Sequence, residues 1–193
     1  METAASTTPA VRSGPAPAEG VRYTIDPVHA TAQFKVRHLM VANVRGHLGE
    51  VTGDLVFDPQ DPSRSTVRAS IDATGIDTRN PDRDTHLRSP DFLDVANHPS
   101  IAFRSTAVRA RGGGAYEVEG ELTIRGTARP VTLAVEVSDE IRDPWGNVKR
   151  GVEATTRLDR KAWGLSWNAV VEGGGILVGD SVDVTIEAEL VRA

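Results

Sequence analysis

The chain reads as an all-β protein, an extended antiparallel β-barrel of eight strands, and three observations carry that prediction. The first is alternation at period two. Ala30, Ala32, Phe34 and Val36 alternate with Thr31, Gln33, Lys35 and Arg37, and Val131, Leu133, Val135 and Val137 with Thr132, Ala134, Glu136 and Ser138. Val182, Val184, Ile186, Ala188 and Leu190 do the same against Asp183, Thr185, Glu187 and Glu189. Successive side chains of a strand point to opposite faces, so each stretch buries one face and wets the other. The second observation is turn chemistry between the runs. The third is the number of small side chains on the apolar parity: Ala30, Ala32, Gly46, Gly53, Ala69, Gly120, Ala154 and Ala188. Long strands with one apolar face favour a sheet that closes on itself, and about eight strands enclose room for one small ligand. Small inward residues leave such an interior unfilled or relieve crowding at barrel corners; both readings stand.

Strands are predicted at 22–38, 43–57, 65–72, 100–109, 115–124, 129–138, 148–159 and 181–191. In the second, Gly46 and Leu48 share one parity while Val51, Gly53, Leu55 and Phe57 share the other, which predicts a bulge near Gly49. Asp58-Pro59 and Asp61-Pro62 close that strand, and Gly112-Gly113-Gly114 separates the fourth from the fifth. Asp143-Pro144-Trp145-Gly146 places Pro and Gly where a β-turn takes them. One long connection, 73–99, breaks the rhythm. Within it Pro81-Asp82-Arg83-Asp84-Thr85-His86-Leu87-Arg88 forms a short predicted helix, with Asn80 as N-cap and Pro81 at the first helical position. Pro90 ends it. The connection 159–180 carries Trp163-Gly164-Leu165-Ser166-Trp167 and the run Gly173-Gly174-Gly175.

Composition narrows the function classes. The chain has 193 residues, 39% hydrophobic and 25% charged, with a net charge of −5, as expected of one ordinary globular domain. No basic cluster is interleaved with aromatics, so nucleic acid is not an expected partner. Cysteine is absent, which removes disulfides, thiolate nucleophiles and thiolate metal sites. Residues 1–20, rich in Ala, Pro, Ser and Thr, read as a disordered tail ahead of a barrel domain at 21–193. They lack the apolar core of a secretory signal, and no run approaches the ~20 apolar residues of a membrane helix, so a cytoplasmic location without a membrane span is expected.

The polar residues point weakly to catalysis. There is no GxSxG elbow, no HxH or HExxH spacing for a metal, and no glycine loop followed by Lys-Ser/Thr for a phosphate. His38 continues the apolar parity of the first strand and faces inward near one mouth, either as a donor to a ligand head group or as a hydrogen-bonded core residue. His29 lies at the strand's start, across the other rim. His86, on the short helix, is either a loop-anchoring residue or a ligand contact. Arg83 and Arg160 flank the long loops, where guanidinium forks suit phosphate or carboxylate heads or pair with neighbouring acids. His29, His38, Arg83, His86 and Arg160 are therefore the head-group candidates. The expected apolar lining is Phe34, Val36, His38, Phe57, Phe103 and Leu122, with Trp163 and Leu165 from the last loop.

The ordered motifs resemble one family. They are Tyr23-Thr24-Ile25-Asp26-Pro27-Val28-His29, Phe34-Lys35-Val36-Arg37-His38-Leu39-Met40 and Gly46-His47-Leu48-Gly49, then Ile76-Asp77-Thr78 and the stretch from Asp82 to Phe92. Pro99 to Ser105, Leu122 to Val131, Asp159-Arg160 and Trp163-Gly164-Leu165 follow. Together, over about 22–191, they resemble the YceI-like proteins, polyisoprenoid-binding barrels of lipocalin-like form. The resemblance implies a barrel that wraps a long isoprenoid or similar apolar lipid without catalysis or a cofactor. Many relatives carry a secretory leader that this chain does not show, and Ala128 replaces the threonine common in the turn motif. Two other expectations stay open: an enzyme acting on such a lipid with His38 or His86 as general acid or base, and a stress-related interaction module whose barrel is filled by its own side chains. A homodimer is compatible with each.

Overall fold

The structure is a computed structural model and describes residues 20–170 and 175–193. Residues 1–19 of the predicted tail, and Gly173 and Gly174 of the glycine run, lie outside the described residues. Among the described residues ten strands form one sheet: β1 (Val21–His38), β2 (Ala42–His47), β3 (Val51–Phe57), β4 (Thr66–Asp72), β5 (Ser100–Gly112), β6 (Ala115–Ile124), β7 (Thr127–Val137), β8 (Ile141–Arg142), β9 (Val148–Asp159) and β10 (Val178–Arg192). Eight of them close a barrel in the order β1-β3-β4-β5-β6-β7-β9-β10, every neighbour antiparallel. β2 lies beside the far half of β1, and β8 is a two-residue appendage on β9.

Besides the short added strand β8, two details differ from the sequence expectation. The predicted second strand is two strands, because the chain changes partner between them. At Leu48 the backbone N–H still donates to Ala32 O of β1, at 2.9 Å, whereas Gly49 N–H donates to Asp72 O of β4, at 2.8 Å. The parity switch marks that turn from one neighbour to another. The first strand also carries an unforeseen bulge. Asp26 pairs with Glu189 and Ala30 with Ala188, so Pro27, Val28 and His29 are extruded together. The loop restores the apolar parity: Tyr23 and Ile25 face inward before it, and Ala30 and Ala32 after it.

The long connection folds across one end of the barrel. Its helix, α1 (Pro81–Arg88), starts where Asn80 Oδ1 accepts from Arg83 N–H at 3.0 Å. Ile76 and Leu93 from this connection are buried with Val51, Ile71, Ile101 and Leu158 from the strands, and Trp163 and Leu165 join them from the last loop. Trp163 is anchored by an indole N–H donated to Leu122 O at 3.0 Å. At the opposite end Tyr23, Phe57 and Leu190 form a second, smaller cluster.

Interior volume is set by a division among the small residues. A side chain at Gly120 would stand 2.5 Å from both Arg104 O and Phe103 Cε2, and one at Gly46 would stand 2.6 Å from Phe34 Cζ. Phenylalanine rings on neighbouring strands therefore cover these two glycines. Ala69, Ala154 and Ala188 are not covered in this way and border open space. Gly120→Ala should accordingly lower stability by about 1–3 kcal/mol, the usual range for overpacking. Urea denaturation of the variant against the parent checks it, and an unchanged midpoint would mean the Phe103 ring is not held against the backbone.

Candidate functional site

A cavity of about 180 Å³ runs along the barrel interior. It extends from Leu48, Ile101 and Leu158 beneath the α1 end to Phe57, Tyr116 and Val137 at the other. Valine, leucine, isoleucine and alanine supply most of the wall. The polar groups among the lining residues are Ser65, Tyr116, Arg150 and Thr156. Two of these are satisfied by the backbone: Ser65 Oγ accepts from Asp58 N–H at 2.9 Å, and Thr156 Oγ1 donates to Thr132 O at 2.9 Å.

Arg150 is the charged residue in that wall. It sits on β9 with the parity of Val152, Ala154 and Leu158, so the strand alternation turns its side chain inward. Its Cζ lies 5.4 Å from the Phe57 ring centroid and 6.0 Å from that of Tyr23. Nε donates to Tyr23 Oη at 3.1 Å and Nη1 donates to Ser138 O at 2.7 Å. The counter-charge is Glu140, in the segment joining β7 to β8. Its Oε1 accepts a short hydrogen bond from the Tyr23 hydroxyl and lies 3.8 Å from Arg150 Nη2 and 3.8 Å from Arg192 Nη1. The Tyr23 hydrogen bond and the two guanidinium groups hold the Glu140 carboxyl below its ordinary value. Burial, with the Glu140 hydrogen bond second, raises the Tyr23 phenol above its own.

The α1 end is chemically different, because its charged groups are spent on the chain itself. Asp84 is 6% exposed and accepts from Thr78 N–H at 2.9 Å and from the Thr78 hydroxyl. Arg83 donates to Thr78 Oγ1 at 2.7 Å and to Thr78 O at 2.8 Å, and Arg88 Nε donates to Thr74 O at 2.8 Å. Burial works against the Asp84 carboxylate, but the Thr78 hydrogen bonds and the charges of Arg88 and Arg83 outweigh it and keep the carboxyl below its ordinary value. Arg160 is buried and clamps the last loop, donating to Gly179 O at 2.9 Å, to Leu165 O and to Trp167 O at 3.0 Å. Burial lowers its pKa, partly opposed by Asp180 and Asp159. His86 pairs with Asp91 at 2.9 Å and stands edge-on to Phe92 and Trp167, at centroid distances of 5.0 and 4.6 Å.

The head-group candidates read from the sequence are thus dispersed. Arg83, His86 and Arg160 are bonded into the α1 end, His38 ends β1 opposite Ala42 and Val178, and His29 lies on the exposed bulge. Of the expected lining, Phe57, Phe103 and Leu122 border the cavity. Phe34, Trp163 and Leu165 belong to the packed core at the α1 end, and neither Val36 nor His38 is part of the cavity wall. The metal-competent atoms of Asp26, His29 and Glu189 lie within 4.8 Å of one another on the bulge. Lys149 Nζ already stands among them, 2.7 Å from Glu189 Oε2 and 3.6 Å from Asp26 Oδ2.

Comparison with known proteins places this geometry. A sequence profile of the YceI-like domain matches residues 23–190, nearly the whole described barrel. The chain belongs to the YceI-like family. A UPF0312 protein of Vibrio cholerae serotype O1 is 35% identical over 158 residues, covering 81% of this chain and 84% of the relative. A UPF0312 protein of Pseudomonas aeruginosa is 36% identical over 137 residues, 71% of either chain. Among solved structures, BcnA of Burkholderia cenocepacia superposes with a TM-score of 0.75 at 21% identity, covering 86% of this chain and 98% of that one. A polyisoprenoid binding domain from Saccharophagus degradans superposes with a TM-score of 0.63 at 11% identity, covering 90% and 99%. At these identities the structural likeness is one of fold.

Tyr23, Glu140 and Arg150 of this YceI-like barrel were not among the expected site residues. The signal for Arg150 was available, since the alternation through Ala154 extends back to it. Glu140 had none, because it stands outside any strand. At the α1 end, the carboxylate of Asp84 gives a pH test. A carboxyl depressed in the folded state stabilises above its unfolded value, here 3.8, and that contribution is lost as pH falls through the lower folded value. Asp84→Ala should cost about 1–3 kcal/mol at neutral pH by leaving the Thr78 donors unpaired. It should also flatten the fall in melting temperature below about pH 4, where the parent loses the carboxylate. A variant that melts in parallel with the parent across that range would show that Asp84 does not hold the loop.

Proposed function

We propose that the protein binds a long apolar lipid of the isoprenoid type inside its barrel, as a carrier or store and without catalysis. The supporting observation is the continuous hydrocarbon wall around the 180 Å³ cavity. An apolar cavity of about 150 Å³ stays dry and takes up a benzene-sized guest, so hydrocarbon is the natural occupant of this one. Each methylene moved from water into such a wall contributes about 0.8 kcal/mol. Drug-sized ligands occupy pockets of roughly 300–1,000 Å³. A long chain therefore enters only as side chains such as Phe103 and Leu122 repack around it. The polyisoprenoid binding domain of Saccharophagus degradans shares this fold, which favours an isoprenoid over other lipids. A barrel filled by its own side chains is disfavoured by the same cavity.

The reading is tested by organic extraction of the purified protein and mass spectrometry of the extract, alongside titration with a fluorescent prenyl lipid. Ala154→Leu fills the wall where Ala69 and Ala188 also leave space, and should reduce uptake at least about tenfold while circular dichroism reports an intact sheet. Undiminished uptake by the folded variant would place the lipid elsewhere on the molecule.

A further inference from the structure

A charge in a hydrocarbon wall needs a reason. A guanidinium largely removed from water is held best against an anion, and the neutral acceptors of Arg150, Tyr23 Oη and Ser138 O, leave its charge unmatched. In this structure the anion is Glu140, and the pair is unequal. The Arg150 side chain is 17% exposed and held on a barrel strand, whereas Glu140 is 34% exposed and belongs to a connecting segment outside the sheet. One partner is fixed on the cavity wall and the other is more open to water. Glu140 also fits loosely against Arg150. Its Oε1 stands 3.8 Å from Nη2, beyond hydrogen-bonding distance, while it accepts a hydrogen bond from the Tyr23 hydroxyl. A single carboxylate oxygen is thus surrounded by a phenol and by the guanidinium groups of Arg150 and Arg192. That is a site for an acidic oxygen filled by a side chain of the same protein, and it adjoins the apolar cavity through Arg150, which lines the cavity while Tyr23 and Glu140 stand behind it.

We propose that Tyr23 and Arg150 form a head-group site for amphiphiles with an acidic head, a carboxylate or a phosphate, and that Glu140 is its internal stand-in, displaced when such a lipid loads. The proposal rests on the lipid-binding reading above and specifies its ligand. With the hydrocarbon chain along the Val152–Ala154 side of the wall, the acidic head replaces the Glu140 carboxylate against Tyr23 Oη and Arg150, and Glu140 turns to solvent beside Arg192. An uncharged head such as a prenol leaves the Glu140 pair in place and gains nothing from it. The same arrangement disfavours a neutral head for a second reason: displacing Glu140 with it would leave Arg150 buried without a counter-charge.

The experiment compares a prenyl monophosphate, a fatty acid and the uncharged prenol of matched chain length, by isothermal titration of the full chain and of two variants. The parent should bind the acids at least about tenfold more tightly than the prenol, the advantage of a charge-assisted contact. In Arg150→Gln the acid-to-prenol ratio should fall to near one. In Glu140→Gln, which keeps an acceptor for the Tyr23 hydroxyl but removes the competing charge, the ratio should rise several-fold. A phosphate preferred over the fatty acid, or the reverse, identifies which acidic head the site takes. Equal affinities for acid and prenol in the parent, or a Glu140→Gln ratio no higher than the parent's, would overturn the assignment while leaving lipid binding intact. Should Arg150→Gln fail to fold, Glu140→Gln decides. Failure of the parent to bind any of the three ligands would remove the lipid-binding reading and this site with it.

Discussion

β1 is paired along its length with β10 on one side, while on the other it is shared between β3 at its start and β2 at its end. The rest of the barrel depends on that seam. A sheet that did not close would expose two rows of unpaired N–H and C=O groups and open the apolar interior to water. Closure requires the first and last strands of the chain to meet in register with their apolar faces turned the same way. The extruded residues Pro27, Val28 and His29 make this possible. They let one strand present Ile25 and Ala30 to the same interior, although the spacing between those residues puts them on opposite parities. Without the bulge, half of β1 would carry its alanines and Phe34 outward.

Much of this was legible in the sequence, because period-two alternation is a property of the strand itself. Eight barrel strands, the Asn80 cap and the Asp143–Gly146 turn follow from local chemistry alone, and each is where that chemistry puts it. The departures share one cause. Which neighbour a strand pairs with is a long-range matter, so residues 43–57 looked like one bent strand although the chain leaves β1 for β4 at Gly49. The bulge at 27–29 was hidden for the same reason: it is defined by what β10 lacks opposite it.

The candidate site was less legible than the fold, and residue type misled in a consistent direction. Histidines and loop arginines attract functional readings, yet a long cation near a strand end has many backbone carbonyls within reach. Arg83, Arg88 and Arg160 donate to carbonyls of their own loops and brace the α1 end. Arg150 sits near the start of what reads as an ordinary strand, and only its parity distinguishes it. Position along the alternation, not chemical type, separates the cation on the cavity wall from those confined to the loops.

The cavity has a mechanical consequence. Pressure favours whichever state of a protein occupies less volume, and unfolding collapses internal voids into solvent, typically with a volume decrease of roughly 20–100 mL/mol. An apolar space of about 180 Å³ inside the barrel adds to the volume of the folded form. Compression therefore acts on the folded form chiefly through its interior, not its surface loops. An occupant that filled the space would remove that susceptibility, so a loaded barrel would be the denser object.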